Sequence, residues 1–150
     1  MSFNTIHTKN NLKISTVSNE SELKLRLIEG GISAGFPSPN NNFWDDSIDL
    51  NKFLIKNPST SFIAFTDGFS MIDLGISNKD LLIVDRSLKP KNGNIAVCII
   101  DGEFVLKRIK VDDQDDVWLM PANDKYKPLK ITDFHDFEIW GIVTYSIQKQ

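Results

Sequence analysis

Read for its pattern of apolar and polar positions, the chain changes character at residue 61. From there it runs as short stretches at 61–65, 81–85, 95–100, 103–110, 117–120 and 137–147 that are apolar throughout or alternate apolar with polar. Ser77-Asn78-Lys79, Lys91-Asn92-Gly93 and Asp101-Gly102 separate them as turns. Short strands at this spacing, with few helical patterns between them, predict a single, mostly antiparallel β domain with short helices. Asp-Gly between two apolar runs is a strong two-residue hairpin signal. Closing that turn pairs Ile100 with Glu103 and, counting back, Ala96 with Lys107. Alternation then puts Lys107 on the face of Cys98, Val105 and Ile109, and Arg108 and Lys110 on the other.

The first sixty residues are more polar. Leu12-Lys13-Ile14-Ser15 reads as a short strand, and Ser21 to Ile28 reads as a helix capped by Asn19, with Glu22 completing a capping box, or by Ser21. Gly30-Gly31-Ile32-Ser33-Ala34-Gly35 is a segment of small residues, Phe36-Pro37-Ser38-Pro39 stiffens the chain into an extended arm, and Asn40-Asn41-Asn42 marks a loop. In Asp49 to Lys56, Leu50, Phe53 and Leu54 share one helical face ahead of Pro58, which predicts a helix packed on the sheet. Neither an internal repeat nor a second domain is legible.

Composition narrows the function. The chain has 150 residues, of which 41% are hydrophobic and 25% charged, the balance of an ordinary globular protein. A net charge of −3 argues against a basic nucleic-acid-binding face. The one cysteine, Cys98, sits in an apolar run and reads as a small core residue in a reducing compartment. No apolar run approaches 18 residues, so neither a membrane span nor a signal peptide is expected, and the cytoplasm is the expected location. The run Asp112-Asp113-Gln114-Asp115-Asp116 lacks the glycine and glutamate of an EF-hand loop and reads as a solvated turn, so no metal is expected. Trp118, Phe134, Phe137, Trp140 and Tyr145 read as core or dimer contacts, since no basic residues are interleaved to track a phosphate backbone.

Candidate chemistry concentrates in Thr66-Asp67-Gly68-Phe69-Ser70-Met71-Ile72-Asp73, where a serine between a glycine and a short apolar turn is surrounded by backbone amides. A serine hydroxyl needs a base to take its proton. The two histidines, His7 and His135, lie in polar settings that do not suggest an acid–His–Ser arrangement. Lys107 is the better candidate, because desolvation on an apolar face disfavours the ammonium form and can draw a lysine down from about 10.4 by several units. Two plainer readings stand beside this one: Ser70-Met71-Ile72-Asp73 as the N-cap of a short helical turn closed by Gly75, and Lys107 as a lysine reaching solvent along its methylenes. The first is compatible with catalysis, because amides at a helix start also suit a developing oxyanion.

The motifs Gly35-Phe36-Pro37-Ser38-Pro39, Ile48-Asp49-Leu50-Asn51, Ser70-Met71-Ile72-Asp73, Gly75-Ile76-Ser77, Asp80-Leu81-Leu82-Ile83-Val84-Asp85 and Asp101-Gly102-Glu103-Phe104 resemble those of the UmuD proteins. These stand with the LexA and phage repressors among the self-cleaving serine peptidases, and the resemblance runs from about Gly31 to the C-terminus. It implies a LexA/UmuD-type β domain over residues 35–150, preceded by an N-terminal arm, residues 1–34, that is removed on self-cleavage. It implies Ser70 as nucleophile, Lys107 as general base, the main-chain amides of Phe69 and Ser70 as oxyanion donors, and Ala34-Gly35 as the bond cut, with no cofactor. Phe69 stands where UmuD proteins usually carry an acidic residue, and the N-terminal segment is longer than theirs. Some thirty residues before the cut leave no room for a helix-turn-helix domain, which favours the UmuD branch over the DNA-binding repressors. The resemblance further implies a homodimer, stimulation of the cut by RecA filaments on single-stranded DNA, and assembly with UmuC into an error-prone translesion polymerase of the SOS response to DNA damage. Two other functions remain open at this point, a non-catalytic dimeric partner of the polymerase and a repressor-like regulator of transcription.

Overall fold

The computed structural model describes residues 5–9, 12–16, 24–26, 47–66, 74–121 and 127–150. Its strands are β1 (Thr5–Lys9), β2 (Leu12–Thr16), β3 (Lys24–Arg26), β4 (Ser47–Asp49), β5 (Ser61–Thr66), β6 (Leu81–Asp85), β7 (Ile95–Ile100), β8 (Glu103–Val111), β9 (Val117–Met120), β10 (Leu129–Lys130) and β11 (Phe137–Ile147). Nine of them form one sheet in the order β1-β2-β5-β6-β11-β7-β8-β9-β10, with every neighbouring pair antiparallel, and β3 pairs with β4 apart from it. The mostly β, antiparallel expectation holds, and the six runs from residue 61 onward are all strands, four of them with the predicted limits.

The hairpin between β7 and β8 forms as its sequence demands. Asp101 and Gly102 both have positive φ, 49° and 79°, the backbone that matches the twist of the flanking strands. Ile100 therefore faces Glu103, Cys98 faces Val105, and Ala96 faces Lys107. Alternation along the central strands builds two apolar layers. Ala64, Leu82, Val84, Val97 and Leu106 fill one, covered by Ile76 and flanked by Phe62, Phe104 and Trp140. Ala96, Cys98, Ile109, Leu119 and Ile142 fill the other. Both faces of the sheet thus carry core.

β11 joins the two halves of the sheet. It pairs with β7 from Phe137 to Ile142 and with β6 from Ile142 to Ile147, and its register is irregular between Ile139 and Gly141 and again between Val143 and Tyr145. The backbone at Gly141 comes so close to β6 that an added Cβ would lie 2.6 Å from Val84 Cγ1. Val84 is fully buried and has no room to withdraw. Gly141→Ala should therefore destabilise the protein by about 1–3 kcal/mol, the usual cost of overpacking, read as a lower urea midpoint with an unchanged slope.

The N-terminal half departs from expectation. Leu12-Lys13-Ile14-Ser15 is a strand, as predicted, but Lys24–Arg26 is strand β3, not part of a helix spanning Ser21 to Ile28. Leu23, Leu25 and Leu27 alternate with Glu22, Lys24 and Arg26, a period of two that suits a strand paired with β4 better than a helix. The predicted helix at Asp49 shortens to α1 (Leu50–Leu54), with the Asp49 carboxylate accepting from the Asn51 N–H at 3.1 Å. None of its five residues is fully buried; Phe53 meets Tyr145 of β11 at 6.3 Å between ring centroids, and Ile55, just beyond, is buried.

Candidate functional site

Lys107 is carried by the middle of β8 and is half-buried. Its cross-strand neighbour Ala96 is fully buried and offers only a methyl group, so the lysine stem lies along the Cys98, Val105 and Ile109 layer, as alternation predicted. Cys98 records this environment. Burial pushes its thiol up to about 12, and the nearby Lys107 charge pulls it the other way. A thiol so raised stays protonated at neutral pH, so Cys98 is a core residue as expected and offers Lys107 no counter-charge. Among the described residues Lys107 has neither a salt bridge nor a hydrogen bond from its amine.

The segment bearing Ser70 leaves the sheet after Thr66, the sheet resumes at Leu81, and residues 77–80 are tied back to Thr66. Thr66 donates its N–H to the Asp80 carbonyl at 3.1 Å and accepts from the Lys79 N–H at 2.9 Å. The Thr66 hydroxyl donates to the Ser77 carbonyl at 2.6 Å and accepts from the Asp80 N–H at 3.1 Å. The Asp80 carboxylate accepts from the Ser77 N–H at 2.7 Å. Thr66 and Asp80 are both buried, and five hydrogen bonds centred on them hold residues 77–80 together and to the end of β5. No sequence signal marked Thr66 and Asp80 for this role, since polar residues at strand ends are commonplace. Gly75 has a positive φ of 72°, a backbone that favours glycine. Ser70, Phe69 and the rest of 67–73 lie outside the described residues, as do Ala34 and Gly35. Leu74 and Ile76 pack on the Val97 and Leu106 side of the sheet, and Lys107 belongs to the opposite side.

The competing sites resolve into structural roles. In the acidic run, Asp112 accepts from the Gln114 and Asp116 N–H groups at 3.0 Å each and from Trp118 Nε1 at 2.9 Å, while Lys130 Nζ meets Asp116 at 2.5 Å. The Trp118 hydrogen bond holds the Asp112 carboxyl below its usual range, and the Asp116 hydrogen bond holds Lys130 above its own. This is the solvated turn expected, and no group of three metal-ligating side chains occurs among the described residues. His135 Nδ1 faces the Thr132 N–H at 3.1 Å in an exposed turn. Trp140 packs on Phe62 and Phe104 at 5.0 and 5.7 Å, with Arg86 over its outer face at 4.6 Å, and Phe137 joins the second layer. Phe134 is fully exposed. Among the described residues, no helix is long and apolar enough to cross a membrane.

The described residues define a mostly β, antiparallel sheet protein with a half-buried lysine on its β7–β8 hairpin. Comparison with known proteins gives the family. The chain matches the peptidase S24-like family over residues 26–144 and belongs to it. It is 38% identical over 117 residues to protein MucA of Escherichia coli and 35% identical over 116 residues to protein SamA of Salmonella typhimurium, each alignment covering 77% of this chain and 79% of the relative. It is also 33% identical over 129 residues to LexA repressor 2 of Xanthomonas axonopodis pv. citri, covering 86% of this chain and 59% of that protein. The likeness to UmuD and LexA proteins seen in the motifs is thereby borne out.

Proposed function

We propose that the protein is a serine endopeptidase that cuts its own Ala34-Gly35 bond with a Ser70–Lys107 dyad, separating an arm of residues 1–34 from a domain of residues 35–150. The neutral Lys107 amine takes the proton of Ser70 Oγ, and the oxygen bonds to the Ala34 carbonyl carbon while the Phe69 and Ser70 amides hold the oxyanion. Collapse breaks the C–N bond, the Lys107 ammonium returns the proton to the Gly35 nitrogen, and water hydrolyses the Ala34 ester to restore the serine. Membership of the peptidase S24-like family supports this chemistry. The observation that carries it to a particular residue is Lys107, half-buried opposite Ala96 on an apolar layer. For Ser70 to serve, its hydroxyl has to reach the side of the sheet that carries Lys107.

Regulation in this reading lies in where the arm sits. We place the cut under RecA filaments on single-stranded DNA in the cytoplasmic SOS response, with the trimmed homodimer serving a UmuC-type translesion polymerase. Intact-mass measurement with and without RecA filaments tests both levels. The wild type should lose Met1 to Ala34, faster with filaments, and Ser70→Ala should keep its full mass. A shortened Ser70→Ala chain refutes the nucleophile, and a wild type of unaltered mass even at alkaline pH indicates a non-catalytic partner subunit.

A further inference from the structure

β5 is an interior strand because β2 lies along it. Five register pairs run from Leu12 opposite Thr66 to Thr16 opposite Phe62, and β1 covers β2 in turn. The direction of β5's main-chain groups is fixed by its other side. Thr66 bonds to Asp80 and Lys79, and Thr60 accepts from Arg86, so the even-numbered residues address β6. By antiparallel alternation Ile63 and Phe65 address β2. Without β2 this row is an open edge of sequence Ser-Phe-Ile-Ala-Phe-Thr, with no charge, proline or glycine to discourage pairing. β1, β2 and β3 all precede Ala34, whereas every other strand comes after it.

We propose that β1 and β2 are a removable cap, and that severing the chain between Ala34 and Gly35 converts β5 into a pairing edge for a second copy of the shortened chain, β5 against β5 about a two-fold axis. The trigger rests on the self-cleavage proposed above; the cap does not. An antiparallel edge is its own complement under two-fold symmetry, and an uncharged row sets no like charges opposite one another. β2 already demonstrates that an antiparallel strand fits there. Among the described residues, the five β2–β5 pairs and the three β3–β4 pairs tie the leading segment to the rest of the main-chain pairing.

A full-length Ser70→Ala chain with an unrelated protease's recognition sequence in place of residues 33–36 separates the two proposals, since it is cut whether or not the protein cuts itself. Amide exchange at Ile63 and Phe65 is read in the intact chain, in the cut chain at high concentration after gel filtration, and in the cut chain diluted. Both amides should be protected in the intact chain and in a cut dimer identified by sedimentation, and should exchange at least about tenfold faster in the diluted monomer. Ala64, bonded toward β6, should stay slow throughout. Equal exchange of Ile63 and Phe65 in the intact chain and the cut monomer overturns the cap. A leading fragment that never dissociates, a cut chain that stays monomeric, or a dimer with both amides open overturns the pairing edge.

Discussion

Lys107→Ala should yield a folded protein that keeps its full mass, with self-cleavage slowed by about 10²–10⁴-fold, the share a positioned general base supplies. The loss should not be a loss of fold, because the lysine has no ion pair among the described residues and its stem lies at the margin of the Cys98 and Ile109 layer. Lys107→Arg is the sharper variant. It retains a long cationic side chain but cannot give up its proton near neutrality, so it should be as inactive as the alanine form. In the wild type, cleavage without an activator should quicken as pH rises, because only the deprotonated amine can act as the base, and both variants should lose that dependence. Mass spectrometry over a pH series reads all three chains. A Lys107→Arg chain cut at the wild-type rate would show that the proton goes elsewhere.

The largest effect on stability is expected at Asp85, at the end of β6. Its carboxylate is buried and accepts from Asn57 Nδ2 at 2.7 Å, Thr60 Oγ1 at 2.8 Å, and the Ser87 N–H and hydroxyl at 2.8 and 2.7 Å. Asp85→Ala leaves several donors without an acceptor in a mostly buried pocket, at a cost of about 2–4 kcal/mol. Burial alone would raise this carboxyl, but the hydrogen bonds from Asn57, Ser87 and Thr60 outweigh it and hold it below the usual range. A group depressed in the folded state adds stability that is complete above its unfolded value, about 3.9, and drains away as pH falls through the folded value. Thermal unfolding of the wild type should therefore weaken below about pH 4, and Asp85→Asn should show a smaller acid dependence from a lower starting midpoint. An Asp85→Asn profile parallel to the wild type would assign the acid sensitivity to other carboxylates.

Sequence patterns reached unevenly into this structure. The strands from residue 61 were legible because burial on both faces leaves long apolar runs bounded by turn residues. Elsewhere the same reading reached β2 but missed others: β1, Thr-Ile-His-Thr-Lys, is mostly polar, β10, near the C-terminus, has two residues, and the Leu23, Leu25 and Leu27 alternation around β3 competed with a capping signature for a helix. Such strands owe their conformation to the neighbour they pair with. Of the site, Lys107 and its partner Ala96 were legible from a hairpin count. The Thr66–Asp80 tie and the reach of Asn57 and Thr60 to the Asp85 cluster were not, because they join residues 11 to 30 positions apart.

Local chemistry by itself determined the alternation of each central strand and the register of the β7–β8 hairpin, because a side-chain period of two and a turn of two positive-φ residues leave a single pairing. Only the tertiary structure decided that β11, last in the chain, lies between β6 and β7, that β2 covers β5, and which donors surround Asp85. Those choices depend on which distant surfaces fit and exclude water together, as Gly141 against Val84 shows, and no local pattern encodes that fit.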